Sequence, residues 1–402
     1  MKAKILFFSI LFSTVILTSS KINAQTFAIT GNINGDNNWT NIRQFDISTG
    51  NVIKDVLTSG TAVSYVNSET KQVFSSSEVA NLNVNDNIAA AAYSSASNKL
   101  FYATMHTGQL RWINFNNSAL QVQVLQNQFA TVPQLSDQSL NITRMCINAD
   151  GNGYALTNDA SHLYRFTTGN TVTVTDLGGV VDADANTSAN ISILNQCTSW
   201  GGDLIADAYG KLYLITAHFN VFEIDANTRI ATFLGAVKGL PASFTSNGAV
   251  VDADGSVILA GAQVNTGVYK VNFADLTSEK IIGAQTNLSI SDLANSNLLY
   301  QNDVSSGKVV YQASTETNCQ VYPNPISGGV LNIEFNNLNT GNYTITISDP
   351  TGKVIYTTNV FVDAKNQLQQ INVGHQPAAG IYFINVVDSD KQSVYSGKLV
   401  FQ

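Results

Sequence analysis

The sequence predicts an all-β fold in two units, and three observations predict it. Short runs of Val, Ile, Leu, Phe and Tyr recur along the chain, often alternating with polar residues and closed by Gly, Asn or Asp, and no stretch sustains a helical period over several turns. Between residue 25 and about residue 317 these runs repeat as a loose unit of four. Of the six prolines, only Pro133 and Pro241 lie in that region, whereas Pro323, Pro325, Pro350 and Pro377 crowd into the C-terminal remainder of the chain and mark a second unit.

Residues 1–24 read as a removable signal peptide. Lys2 and Lys4 precede the apolar run Ile5 to Leu17, and the polar TSSKINA closes it on Ala24, a small residue suited to cleavage before Gln25. As a helix that run would reach roughly 20 Å, short of the ~30 Å hydrocarbon core. Nothing later is apolar enough to span a membrane. The first cysteine is Cys146, so none follows the cleavage site to take a lipid.

The balance of 20 basic to 28 acidic residues, with Lys2, Lys4 and Lys21 inside the signal, argues against a nucleic-acid partner, which would need clustered Lys and Arg. Charged residues make up 12% of the chain, about half the usual share, and Asn, Ser, Thr and Gln supply the polarity instead. Cys146, Cys197 and Cys319 are too few for a disulfide framework; a single Cys146–Cys197 bridge and free thiols are both open.

The clearest repeat copy begins at Gly202: strand LIAD, turn DAYG, strand KLYLIT, loop AHFN, strand VFEID, turn ANT, strand IATFLG. A second runs from Gly248 (GAVVDADG, SVILAGA, GVYKVNF, SEKII), an earlier one from Ile142 (ITRMCINADG, NGYALTND, HLYRFTT, VTVTDLG), and weaker ones start at Ile88 and near Leu288. FAITG, NIRQFDISTG and VIKDVL from Phe27 supply the outer three strands of a first unit. Four strands recurring about every 40 to 60 residues indicate a β-propeller, because a four-stranded blade cannot bury both faces alone and must pack on its neighbours. Second strands at Phe27, Phe101, Tyr154, Leu212, Val257 and Leu298 give about six blades, with five or seven as alternatives because Ala62 to Asn87 is an irregular insertion. A two-sheet sandwich is the competing architecture.

Turns at Asn148-Ala-Asp-Gly151, Asp207-Ala-Tyr-Gly210 and Asp252-Ala-Asp-Gly255 echo part of a calcium loop. They lack its closing bidentate Glu, and their Asp/Asn-first, Gly-last composition is that of a tight turn. His106, His162 and His218 each fall near the loop between the second and third strands of a blade, which makes them metal-ligand candidates on one face. Their unequal offsets from the following strand argue against convergence, so no metal or other cofactor is expected. Asp203 and Asp292 are the acidic candidates near the channel ends, and no Gly-x-Ser-x-Gly elbow is present. Trp39, Trp112 and Trp200 suit either sugar stacking or packing. No catalytic residue is assigned.

From Val321 onward VLNIEF, YTITISD, KVIYTTNVF, LQQINV, GIYFINVVD and SVYSGKLVF make six or seven short alternating strands, enough for an Ig-like β-sandwich. Its features keep a specific order: Tyr322-Pro323-Asn324-Pro325, then Gly341-x-Tyr343, then the turn Asp349-Pro-Thr-Gly352-Lys353, then Gly380-Ile-Tyr382, then Lys398-Leu399-Val400. Over about 318–402 this resembles the type A C-terminal sorting domain of type IX secretion substrates in Bacteroidetes. The resemblance implies an Ig-like sandwich recognised by the outer-membrane translocon, trimming near its start by a sortase, and a secreted or surface-attached cargo that reaches the envelope through a Sec signal peptide.

The chain is thus expected to comprise a signal peptide (1–24), a propeller (25–317) and a sorting domain (318–402). The propeller is read as a module binding an extracellular glycan or protein on its loop face. The alternative is a secreted enzyme on that face: a polysaccharide hydrolase or lyase, or a lactonase. A structural role in gliding or adhesion is a third reading.

Overall fold

The computed structural model describes residues 25–302 and 319–401, apart from 33–35, 131–134, 264–266 and 282–287 in the first span and 325, 327–328, 337, 339, 350–352, 364–365, 375–376 and 390–392 in the second. The signal peptide read over 1–24, with Ala24, and the boundary near 317 lie outside the described residues.

Among the described residues the first span folds into five blades of four antiparallel strands, two of which carry a fifth, parallel strand at the outer edge: Val181–Asp182 beside Ile230–Ala236 and Ser64–Asn67 beside Gln121–Leu125. Blade 2 runs outward through Ile88–Ser94, Lys99–Thr104, Leu110–Asn114 and Gln121–Leu125. Blade 3 uses Ile142–Ile147, Gly153–Thr157, Leu163–Phe166 and Val174–Asp176. Blade 4 uses Asp203–Ala206, Leu212–Ile215, Asn220–Ile224 and Ile230–Ala236. Blade 5 uses Gly248–Val251, Val257–Ala260, Val268–Asn272 and Thr277–Lys280. Blade 1 is composite: Phe27–Thr30, Asn41–Asp46 and Asn51–Leu57 form its outer part, and Ile290–Ala294 returns to pair with Phe27–Thr30 as its inner strand.

The ring is closed by one apolar cluster in each interface. Ile29, Tyr93 and Ala294 join blades 1 and 2; Phe101, Ala155 and Phe166 join 2 and 3; Leu156, Leu204 and Phe222 join 3 and 4; Tyr213, Val257 and Leu259 join 4 and 5; Ala28, Ile258 and Leu293 join 5 and 1. Each blade therefore buries both faces. This is why Phe27–Thr30, Leu212–Ile215 and Val257–Ala260 are buried at every position and read as unbroken apolar runs.

The all-β propeller class stands, and the count of about six becomes five among the described residues. The unit begun at Phe27 and the one begun near Leu288 are two parts of one blade. Leu298 is no second strand: residues 298–302 form a strap, with Leu299 paired to Asp207 by an isolated bridge and fully buried between blades 4 and 5. The irregular insertion also has structure. Ser64–Asn67 adds to the outer edge of blade 2 in parallel with Gln121–Leu125. Helix Ser76–Ala80 comes next, with Ser75 and Glu78 exchanging side-chain to backbone bonds in a capping box.

The second span is a sandwich of a three-stranded sheet (Cys319–Tyr322, Val330–Asn336, Asn366–Asn372) and a four-stranded sheet (Val354–Val362, Gly341–Ser348, Gly380–Val387, Ser393–Phe401). Ile333, Phe335, Ile345, Ile347, Ile384, Leu399 and Phe401 fill its core, the inward positions of strands that alternate with period two. Cys146, Cys197 and Cys319 are all free thiols, so of the two open readings the free thiols hold.

Candidate functional site in the axial channel

The innermost strand of a blade exposes one row of backbone N–H and C=O groups toward the axis, with no further strand to pair them. In this propeller three charged side chains from the inner strands take up part of that role. Asp292, on blade 1, accepts through Oδ2 from the Ala91 amide of blade 2. Asp203, which opens blade 4, accepts through Oδ2 from the Ala249 amide of blade 5 at 2.7 Å and through Oδ1 from its neighbour Leu204 at 2.6 Å. The two carboxyls lie close enough across the axis for each to perturb the other, and neither is accessible to solvent. Asp292 thereby ties the inner strands of blades 1 and 2, and Asp203 those of blades 4 and 5.

Arg144 serves the fifth. It sits on the inner strand of blade 3, buried, and donates through Nη1 to the Thr157 carbonyl at 2.9 Å and through Nη2 to the carbonyls of Ser199 at 2.5 Å and Gly201 at 3.0 Å, the residues that lead into blade 4. Two glycines permit this packing. Gly202, at φ +89°, turns the chain into Asp203, and a Cβ there would lie 2.0 Å from the Ile215 carbonyl oxygen. At Gly248 a Cβ would lie 2.8 Å from the Leu293 amide nitrogen, so only glycine lets the inner strands of blades 5 and 1 approach beside Asp292.

Electrostatics follow from this burial. Loss of hydration pushes the Asp203 carboxyl up to about 7, and pushes Asp292 well above the usual carboxylate range, with the charge of Asp203 adding to the effect. Burial lowers Arg144 to about 9, partly offset by Asp159 and Asp203, and raises the thiol of Cys146 on the same strand. The carboxyl oxygens face backbone amides and each other rather than solvent. The pair is arranged to hold inner strands together.

Beyond the acid pair the channel narrows to a cavity of about 20 Å³ among Ala91, Ala92, Cys146, Ala206, Ala249 and Ala294, room for about one water. The strap crosses the end of the channel beyond this cavity. Asn295 and Asn297 both donate to the Val251 carbonyl, at 2.8 and 2.9 Å, Leu299 donates to Ala206 and accepts from Ala208, and Asn302 reaches the Ala253 carbonyl.

The opposite end is the loop face, where the loops entering the inner strands meet those between second and third strands. His106 donates its backbone amide to Asn141 Oδ1, and Gly201 donates to Asn158 Oδ1. The three histidines are not brought together. His106 lies half-buried 3.4 Å from Asp86, beside a depression of about 510 Å³ that Leu135 also lines; His162 bonds Asp176 at 2.7 Å and stacks on Tyr164; His218 is exposed. Among the described residues no group of three or more His, Cys, Asp or Glu side chains is placed to hold a metal ion. Trp112 is buried between blades 2 and 3, Trp39 donates to Ser289 Oγ at 3.1 Å, and Trp200 is half-buried just before Gly201.

In the second span the motif residues fall into two groups. Asn324 bonds the backbone of Lys398 and Val400, and Gly380, Ile381 and Tyr382 pair with Phe401, Val400 and Leu399, so the first and last motifs share one edge of the sandwich. Tyr382 packs edge-on against Phe401 at 5.1 Å, while Tyr322, Pro323 and Lys398 are exposed. Elsewhere, Gly341 opens a strand whose Tyr343 is buried 6.0 Å from Phe335, and Asp349 closes the turn by accepting from the Lys353 amide at 3.0 Å. Pro325 and Gly352 lie outside the described residues. Of all these side chains, sequence reasoning missed Arg144, whose signal was a lone cation inside the apolar run ITRMCI.

Residues 320–402 match the family described as the secretion system C-terminal sorting domain. No curated protein matches the chain. Among solved structures, PorZ, an essential bacterial surface component of the type IX secretion system of Porphyromonas gingivalis, is similar at 14% identity and a TM-score of 0.31, over 94% of this chain and 51% of that one. The chain thus spans about half of PorZ's length. A putative 6-phosphogluconolactonase from Bacteroides uniformis is similar at 13% identity and 0.35 over 87% of this chain and 99% of that one, and virginiamycin B lyase from Staphylococcus aureus at 9% and 0.28 over 78% and 84%. Likeness this low bears on neither activity nor ligand.

Proposed function

We propose, for a chain whose residues 320–402 are a secretion-system C-terminal sorting domain, that the propeller is its exported cargo and a binding module that holds an extracellular glycan or protein on its loop face. The sorting domain marks the chain as secreted or cell-surface, and among the described residues no helix is long and apolar enough to cross a membrane. The observation that carries the binding reading is the use of the channel itself. Asp203 and Asp292, the acidic residues best placed for chemistry on the axis, are committed to the Ala249 and Ala91 amides, and the strap lies across one channel end. That leaves the Asn-, Ser- and Thr-rich loops of the other face as the surface open to a partner.

The test is a glycan array and a surface-protein pull-down with the secreted chain, repeated after Ala substitution of exposed loop-face positions such as His218. Retained binding to a defined glycan or protein, lost with those substitutions, is the expected result. Turnover of a polysaccharide or lactone by the same preparation would replace this reading with the enzymatic one. Deleting 319–402 should hold the protein in the periplasm.

A further inference from the structure

Asp203 and Asp292 form an arrangement that two ionised carboxylates cannot satisfy. Both are fully buried. Their donors are backbone amides: Ala249 and Leu204 for Asp203, Ala91 for Asp292. Asp292 Oδ1 is buried without a hydrogen-bond partner; the Leu293 amide lies near both carboxyls, and the group that meets the Asp292 carboxyl from across the axis is the Asp203 carboxyl. A carboxylate oxygen buried without a donor costs about 1–3 kcal/mol, and more when it faces another carboxylate. One proton between the two oxygens removes both penalties, because a carboxylic acid donates where a carboxylate only accepts.

Charge balance points the same way. The ionisable groups that face the pair come from the inner strand of blade 3: Arg144, whose charge interacts with Asp159 as well as Asp203, and the Cys146 thiol, which burial keeps protonated and which also feels Asp150. From blades 2 and 5 the pair meets the amides of Ala91 and Ala249. Arg144 is already shared with Asp159, so it cannot offset two negative charges on the pair, and a proton on the pair reduces the excess. With none, the buried axis carries an excess negative charge.

We propose that the folded propeller holds one proton between Asp203 and Asp292, and that this proton makes ring closure pH-dependent, tightest in mild acid and loosened as the medium turns alkaline. The pair joins blade 4 to blade 1, and through the amides it binds it reaches blades 5 and 2. Loss of the proton therefore acts on the inner ring rather than on one loop. The sign is set by linkage. An unfolded Asp titrates near 3.9, whereas burial raises both carboxyls in the fold. The folded state then keeps a proton that the unfolded state has released, and stability falls as pH rises toward the folded values, about tenfold in the unfolding constant per pH unit for one proton.

The test is equilibrium denaturation of the full chain from pH 5 to 9 for the wild type, Asp292→Asn and Asp203→Asn. An Asn amide donates permanently where the shared proton did, so either variant should keep the tie while the remaining buried carboxyl, given a permanent donor, ionises more readily and the pH dependence weakens. The expected result is an unfolding constant that rises about tenfold per unit between pH 5 and 7 in the wild type and a markedly flatter curve in both variants. An infrared protonated-carboxyl band at pH 7, absent from the variants, is the second expected result. A wild-type curve without slope, an equal slope in both variants, or no such band in the wild type would overturn the proposal. If neither variant folds, the wild-type slope and band decide.

Discussion

Asn324 is bonded to Val400 and to Lys398 through both ends of one amide: Oδ1 accepts from the Val400 N–H at 2.9 Å, and Nδ2 donates to the Lys398 carbonyl at 2.7 Å. The Ile326 amide continues the contact to the Val400 carbonyl at 2.7 Å. The segment that opens the sandwich and the strand that ends it are therefore one substructure.

Asn324→Ala should remove both bonds. The site is exposed, so the stability cost is about 1–2 kcal/mol, read as a lower urea midpoint for the sandwich transition. We expect the secreted fraction to fall by more than that cost explains. Asn324→Asp, which keeps the acceptor and loses the donor, should fall between.

Leu299→Ala should destabilise the propeller by about 2–5 kcal/mol, the usual range for emptying a buried leucine site, although Leu299 belongs to no blade. Its side chain is fully buried among Tyr213, Val257 and Leu259. A lowered thermal midpoint checks this. A neutral outcome would mean that the strap lies on the ring without holding it.

Gly248→Ala should cost about 1–3 kcal/mol, because the new methyl meets the backbone of Asp292 and Leu293 and the Leu293 Cγ, none of them the free end of a flexible side chain. Gly60→Ala is the control for space: nothing lies within 4 Å of its Cβ position, so only its left-handed backbone resists the change. Paired denaturation curves separate clash from backbone strain.

Asp254 and Lys270 give a prediction on the acid side. The hydrogen bond from Lys270, aided by Ser256, overcomes desolvation and holds Asp254 down at about 2. Its contribution is present above the unfolded value near 3.9 and is lost as pH falls toward 2. Both side chains are partly exposed, so Lys270→Ala should cost well under about 1 kcal/mol near neutrality. It should also flatten the acid limb of the stability curve.

The blades were legible because burial on both faces writes a strand as an uninterrupted apolar run, as in LYLI and VILA. The count erred at Leu298 and Leu299 because a strap packed between two blades needs the same residues as a strand. What separates them is whether a neighbouring strand pairs along their length, and that neighbour is distant in sequence. Asp203 and Asp292 were placed near the channel, but their approach to each other depends on ring closure and register, which no local pattern encodes. The capping box Ser75-x-x-Glu78 was readable and passed over, hidden in a segment without apolar periodicity. In the sandwich the motif order was visible, whereas the contact from Asn324 to Val400 appears only once the chain has folded back on itself.

Blade 1 has a consequence for timing. Its sheet is complete only when Ile290–Ala294 lies beside Phe27–Thr30, so the earliest strands to emerge wait for nearly the last strand of the propeller. Contacts so distant in sequence carry a large loop-closure entropy and slow the final step of folding. Until that strand docks, the inner edge of Phe27–Thr30 is unpaired and the ring is an open arc with two apolar blade faces showing.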